Sequence, residues 1–245
     1  MSALITALDI LKVFTFAEPA LNQAELARRL GRPKATVHRA LKTLRESSLL
    51  EYDPTTRLYS PGMRLFELGQ IFSSQNHFLD LLTKRLQKIC EVHGHTGYIT
   101  IFDGPDLMVL RMIRGSSPLA IATAPGYRAA AHSTSNGRAM LALLDDEDWQ
   151  QRVPEPLPFV SHKTPANHAQ LREILGRIRS SGRSLTDSES YEGVASCGIA
   201  LRDPDRAEIY GIAISFPANL LDANAREDIA LALDKLRADV SWQDT

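Results

Sequence analysis

Seven Lys or Arg and no acid lie between Arg28 and Arg45. Cations at that density can neutralise phosphates and offer donors to base edges. Arg39 can present a bidentate fork to guanine, whereas Lys34, Lys42 and Arg45 suit phosphates. A charged face is ordinarily just a solvated one, but such a face mixes in Glu for solubility and i,i+4 pairing, and here no Glu occurs before Glu46. Other residue types invite other chemistry. His132, Asp187 and Ser215 supply the components of a hydrolytic triad, yet no nucleophile-elbow glycine pattern surrounds Ser215 or Ser133, and neither a phosphate loop nor a dinucleotide fingerprint occurs. No catalytic residue and no cofactor is assigned. Cys90, His93 and His95 match no zinc spacing, so no metal is assigned either, and a helix-end histidine beside a buried cysteine is the expectation. Cys197, in an apolar strand, reads as packing rather than as a redox sensor.

Holding the basic cluster against a duplex requires two helices and a tight turn. Asn22 is placed to cap a first helix, with Glu25 reaching back and Leu26 and Leu30 as its apolar face. Gly31 suits the left-handed position after a helix end, and Pro33 stands where a second helix begins. In that second helix Val37, Ala40, Leu41 and Leu44 form one buried stripe, leaving Ala35, Thr36, His38, Arg39 and Lys42 on the opposite face. The N-terminal part of such a second helix enters the major groove in helix-turn-helix proteins. Two short alternating runs, 49–52 and 57–59, flank the turn Asp53-Pro54-Thr55-Thr56 and predict a hairpin. A hairpin there is a wing, and Arg57 at its tip could reach a phosphate or the minor groove. Leu4, Leu8 and Leu11, with Phe14 alongside, predict a third helix packed on the same core.

The remainder reads as a second domain. Through Gly62 there are nine Lys or Arg against six Asp or Glu, and beyond it 19 against 23, so positive charge collects where DNA would lie. Two cysteines cannot make a disulfide framework, and no apolar run approaches a membrane span, which together suggest a cytoplasmic protein without a membrane partner. Leu65, Leu68 and Phe72 predict a linker helix, and Phe78, Leu82, Leu86 and Ile89 another behind it; that apolar surplus suits either the chain's own second domain or a second copy. Strands are predicted at 96–102, 107–113, 198–201 and 209–215, and helices at 137–144, 166–180 and 223–240, giving an α+β sheet with helices on one side. The acidic run Asp145-Asp146-Glu147-Asp148 ends one helix and starts the next, with Trp149 as an anchor. The prolines between Pro154 and Pro165 mark a surface connection.

At this point a family resemblance emerges. Glu25-Leu26-Ala27, Gly31-Arg32-Pro33-Lys34-Ala35-Thr36-Val37-His38-Arg39-Ala40-Leu41 and Asp53-Pro54 to Arg57-Leu58-Tyr59 resemble the winged helix-turn-helix of the isocitrate-lyase-regulator (IclR) family of bacterial transcription factors. Ala131-His132-Ser133-Thr134-Ser135-Asn136-Gly137-Arg138-Ala139 is similar to that family's His-Ala-Thr-Ala-x-Gly-Lys-Ala segment. Glu189 and the run from Gly193 to Asp203 are similar to its effector-pocket strand region. The resemblance covers nearly the whole chain and implies a winged helix-turn-helix over 1–62, a linker helix over 63–76 and a GAF-like effector-binding domain over 77–245, in an α/β (α+β) fold. It implies a regulator binding double-stranded operator DNA as a homodimer or dimer of dimers, with Lys34, Ala35, Thr36, His38, Arg39, Lys42, Arg45 and Arg57 at the DNA. Ala35 departs from the serine frequent at that place, leaving a thymine methyl as its candidate contact. The implied effector site is Ser135, Asn136, Asp187, Ser196 and Ser215. Because Ser135-Asn136-Gly137 opens a helix whose amides can receive a carboxylate, an organic acid is the expected ligand. The family's pocket cysteine aligns with Ser196, and its acidic residue with Thr186, one place before Asp187. The alternative class is a sensor or protein-interaction module whose helix-turn-helix binds protein.

Overall fold

The computed structural model describes residues 3–117 and 123–241. They form two compact units, Met1–His77 and Phe78–Thr245. In the first, helices α1 (Ala3–Val13), α2 (Gln23–Leu30) and α3 (Lys34–Glu46) are followed by strands β1 (Leu50–Asp53) and β2 (Leu58–Pro61) and by α4 (Met63–Ser74). Asn22 caps α2 by accepting from the Glu25 amide at 2.9 Å, and Gly31 stops it in the left-handed conformation, φ 59°. Glu25 does not reach back as expected; Arg28 and Arg29 take its carboxylate instead. Val37, Ala40, Leu41 and Leu44 are buried as the stripe requires and pack with Ile10, Leu21, Leu26, Leu50 and Tyr59. The face expected for α1 is corrected: Leu4 and Leu8 are 66% and 49% exposed, and Thr6 and Ile10 turn inward. Helix α1 carries apolar residues all round, so spacing alone could not choose between its stripes.

The second unit is built on one antiparallel sheet in the order β5-β4-β3-β8-β7-β6. Its strands are β3 (Thr96–Asp103), β4 (Asp106–Ile113), β5 (Arg128–Ala130), β6 (Ser184–Asp187), β7 (Val194–Arg202) and β8 (Ile209–Pro217). On one face Leu79, Leu82, Leu86 and Cys90 of α5 (His77–His93) and Ile229, Leu233 and Leu236 of α9 (Ala223–Ser241) cover Ile99, Ile199, Ile212 and Ile214. Helices were expected on one side only, but α6 (Ser135–Ala142) lies on the other, with Met140 and Ala139 against Ala200 and Ile209. Glycine permits that close approach: a Cβ on Gly198 would stand 2.6 Å from the Asn136 amide nitrogen, and one on Gly211 2.5 Å from Met140 Sδ. Beyond α6, α7 (Asp146–Arg152) starts from its Asp145 cap and buries Trp149 against Leu171 and Leu175 of α8 (His168–Ser181).

Candidate nucleic-acid interface and buried cavity

Packing of α1 and α2 on the apolar stripe of α3 turns its other side outward. Lys34, Ala35, His38, Arg39, Lys42 and Arg45 are exposed and Thr36 is half-buried. Pro33 is the residue before the helix rather than its first, and it supplies no side-chain cap. The amides of Lys34 and Ala35 therefore add the positive end of the helix dipole to the same face. Acids from outside the basic stretch quench part of its charge. Arg29 is gripped by Glu18 and Glu25, Arg28 by Glu25, and Arg32 by Asp9 at 3.4 Å. Lys42 stands 3.8 Å from Glu46. Among the described residues, Lys34, Arg39, Arg45 and Arg57 have no acidic partner and remain available to phosphates or bases.

The wing is built locally. Asp53 accepts from the Thr55 amide at 2.8 Å and the Thr56 hydroxyl at 2.7 Å, bonds that hold its carboxyl below the ordinary range. Arg57 takes the left-handed conformation, φ 60°, and projects from the turn. Leu21 and Tyr59 exchange backbone hydrogen bonds of 2.9 and 2.8 Å, tying the hairpin to the chain just before α2.

In the second unit the sheet face beneath α6 is made of small or hydroxylated residues where the opposite face is large and apolar. Ser196, Gly198 and Ala200 alternate with Cys197 and Ile199, and Gly211, Ala213 and Ser215 alternate with Ile212 and Ile214. The missing volume is a cavity with about 580 Å³ of empty space, counting its open mouth. Its lining includes ten hydroxyl-bearing residues, Asn136, and Leu107, Val109 and Ala129, and among the described residues no charged side chain. One wall is internally bonded: Ser196 Oγ lies 2.7 Å from Ser135 Oγ and 2.8 Å from Thr186 Oγ1, and Asn136 donates to Thr100 at 3.0 Å. Elsewhere the Tyr98 and Thr123 hydroxyls, on residues 6% and 7% exposed, face each other: burial raises the Tyr98 phenol above its ordinary pKa, the Thr123 hydroxyl beside it works the other way, and among the described residues no other group bonds either of them. At the mouth the Tyr127 and Tyr191 hydroxyls meet at 2.6 Å. Burial and the neighbouring phenol hold the Tyr191 hydroxyl above its ordinary pKa. Tyr191 belongs to the 188–193 loop, which Glu189 fastens to the buried Arg138 and Ser190 to the Ser133 carbonyl.

The model of the IclR helix-turn-helix domain matches residues 3–54. That of the bacterial transcriptional regulator IclR C-terminal domain matches residues 73–242. The chain belongs to the IclR family. It is 29% identical over 216 residues to the HTH-type transcriptional regulator BhcR of Paracoccus denitrificans, covering 88% of this chain and 77% of BhcR. It is 27% identical to the probable transcriptional regulator SauR of Cupriavidus necator, covering 88% and 86% of the two chains. Among solved structures, an IclR regulator of Alicyclobacillus acidocaldarius superposes with TM-score 0.87 at 21% identity over 98% of this chain and 97% of its own. An IclR homologue of Microbacterium hydrocarbonoxydans, solved with 4-hydroxybenzoate, does so with TM-score 0.78 at 19% identity over 97% and 100%.

Within this IclR fold the expected effector residues separate. Asn136, Ser196 and Ser215 line the cavity, and Ser135 stands behind its wall. Asp187 does not reach it: alternation along β6 sends Thr186 inward, and Asp187 pairs with Arg226 at 3.2 Å. The α6 N-terminus is also more occupied than expected, because Thr134 Oγ1 takes the Gly137 amide at 3.1 Å. Tyr98, Thr123, Tyr127 and Tyr191 were missed; the hydroxylated face Thr96, Tyr98, Thr100 of an otherwise apolar strand was the available signal for the first. The triad types disperse, with His132 against the Pro158 carbonyl at 3.0 Å and Asp187 on Arg226. Burial pushes the thiols of Cys90 and Cys197 up to about 11 and about 12, as expected of packing groups. Among the described residues no His, Cys, Asp or Glu cluster could hold a metal, and no helix is long and apolar enough to cross a membrane.

Proposed function

We propose that this IclR-family regulator binds operator DNA through the exposed face of α3, with Arg57 on the flank, and that a small organic acid in the β-sheet cavity changes its DNA affinity. The cavity carries the reading: a space lined by hydroxyls, with buried Tyr98 and Thr123 facing only each other among the described residues, offers donors and acceptors to a small ligand that hydrogen-bonds. The carboxylate is received by the serine and threonine hydroxyls and the α6 end of the cavity. Among the described residues no cation lines the cavity, which limits the ligand to a single buried negative charge. The neighbour from Microbacterium hydrocarbonoxydans, holding 4-hydroxybenzoate, supports a ligand of that size and charge. Regulation then requires the acid to bind the DNA-competent and incompetent arrangements with different affinities.

Exposed Met63, Phe66, Ile71 and Phe72 on α4 support assembly into a dimer or a dimer of dimers reading a two-fold operator in the cytoplasm. The domain assignment proposed is 1–62 for DNA binding, 63–76 for the linker and 77–245 for the effector. The test is thermal unfolding against a panel of monocarboxylic acids, followed by fluorescence anisotropy on operator DNA with each acid that stabilises. A stabilising acid that shifts operator affinity is the expected result. Acids that leave both melting and DNA affinity unchanged would remove the effector reading, and a lack of salt-dependent retention on duplex DNA would favour the protein-interaction alternative.

A further inference from the structure

His38 sits in the middle of the exposed α3 face, and its partner comes from another helix. Gln23, the first residue of α2, donates from Nε2 to the Lys34 carbonyl at 3.2 Å. That bond orients the amide and turns its Oε1 toward His38 Nδ1, also at 3.2 Å. An amide oxygen can only accept, so Nδ1 must carry the proton. In a neutral imidazole the other nitrogen is then bare, and no described group meets it. A bare Nε2 is repelled by phosphate oxygens and by the O6 and N7 acceptors of guanine. The major-groove groups that can donate to it are the exocyclic amines of adenine and cytosine.

We infer that Gln23, outside the recognition helix, selects the base chemistry read by His38: it fixes the imidazole so that Nε2 accepts from an adenine or cytosine amino group. The inference rests on the proposed placement of α3 at the DNA. It assigns Gln23 a positioning role and His38 a specificity role opposite in polarity to that of Arg39, which can only donate.

The test begins by selecting sites from a random duplex pool at pH 8 with the wild type and with His38→Ala. The position whose preference disappears in the alanine pool marks the contact. There the amino group is deleted with purine in place of adenine, or 2-pyrimidinone in place of cytosine. N7 of the purine in the same base pair is removed separately with a 7-deaza base. Amine deletion should weaken the wild type on the order of fivefold, N7 removal should not, and His38→Ala should respond to neither. Gln23→Met, which keeps the shape but loses the amide, should lose the amine sensitivity with His38 intact. Gln23→Glu, whose carboxylate still accepts from Nδ1 but cannot donate to the Lys34 carbonyl, should keep part of it. Dependence on N7 instead, or amine sensitivity that survives Gln23→Met, overturns the inference. Identical sites selected by the wild type and His38→Ala overturn it while leaving DNA binding in place; a pool with no enrichment overturns the DNA-binding reading beneath it.

Discussion

Removing the carboxylate of Glu189 should cost far more than removing a surface acid, because its partner cannot reach water. Arg138 is 2% exposed on α6, and besides Glu189 its guanidinium meets the His132 carbonyl at 2.6 Å. Glu189→Ala leaves a buried cation with one neutral acceptor, a defect worth about 3–5 kcal/mol. For a domain of this size each kcal/mol lowers the melting temperature by about 2–4 °C, so a fall of roughly 6–20 °C is expected. Since Ser190 and Tyr191 follow Glu189 into the cavity wall, binding of any acid that stabilises the wild type should weaken with it. Glu189→Gln, which keeps an acceptor but not the charge, should fall between. Arg138→Met combined with Glu189→Leu removes both charges and should recover most of the loss. Thermal and urea unfolding of the four proteins measures this directly. A Glu189→Ala transition that overlays the wild type, or a double variant no better than the single, would refute the reasoning.

Arg39→Ala should cost about 1–3 kcal/mol on the preferred site and relax one position, whereas Lys42→Ala should weaken all sequences alike; equal losses in competition titrations would remove Arg39 from base reading. Tyr98→Phe removes a buried hydroxyl whose one neighbour is the Thr123 hydroxyl and should change the stability of the ligand-free protein by no more than about 1 kcal/mol while weakening acid binding, as unfolding and calorimetry would show. Ser215→Leu fills the cavity and should abolish the acid response with operator affinity kept, read by anisotropy with and without the acid. Cys90, raised by burial from 9.0 to about 11, favours the fold fully below pH 9, and that contribution should be lost as pH rises towards 11. Cys90→Ala should flatten that part of the stability profile, and an unchanged slope would contradict the shift.

What the sequence determined by itself is whatever depends on neighbours a few residues apart. The Asn22 and Asp145 caps, the Gly31 stop, the buried stripe of α3 and the wing turn at Asp53 are set by bonds across three or four positions, and each is present. Tertiary structure decided the rest. Which stripe of α1 faces inward depended on the surfaces α2 and α3 offered. Ion pairs with Asp9, Glu18 and Glu25 decided which cations stay free, and those acids stand outside the basic stretch. The three-residue β5 and four-residue β6 are too short to show a period, and exist because β4 and β7 present edges to pair with. Register also chose Thr186 over Asp187, since a single step along a strand reverses its face. The cavity was least legible: Tyr98, Thr123, Ser196 and Ser215 are distant in the chain, and only the pairing of β3, β7 and β8, with α6 seated over Gly198 and Gly211, brings their hydroxyls around one space.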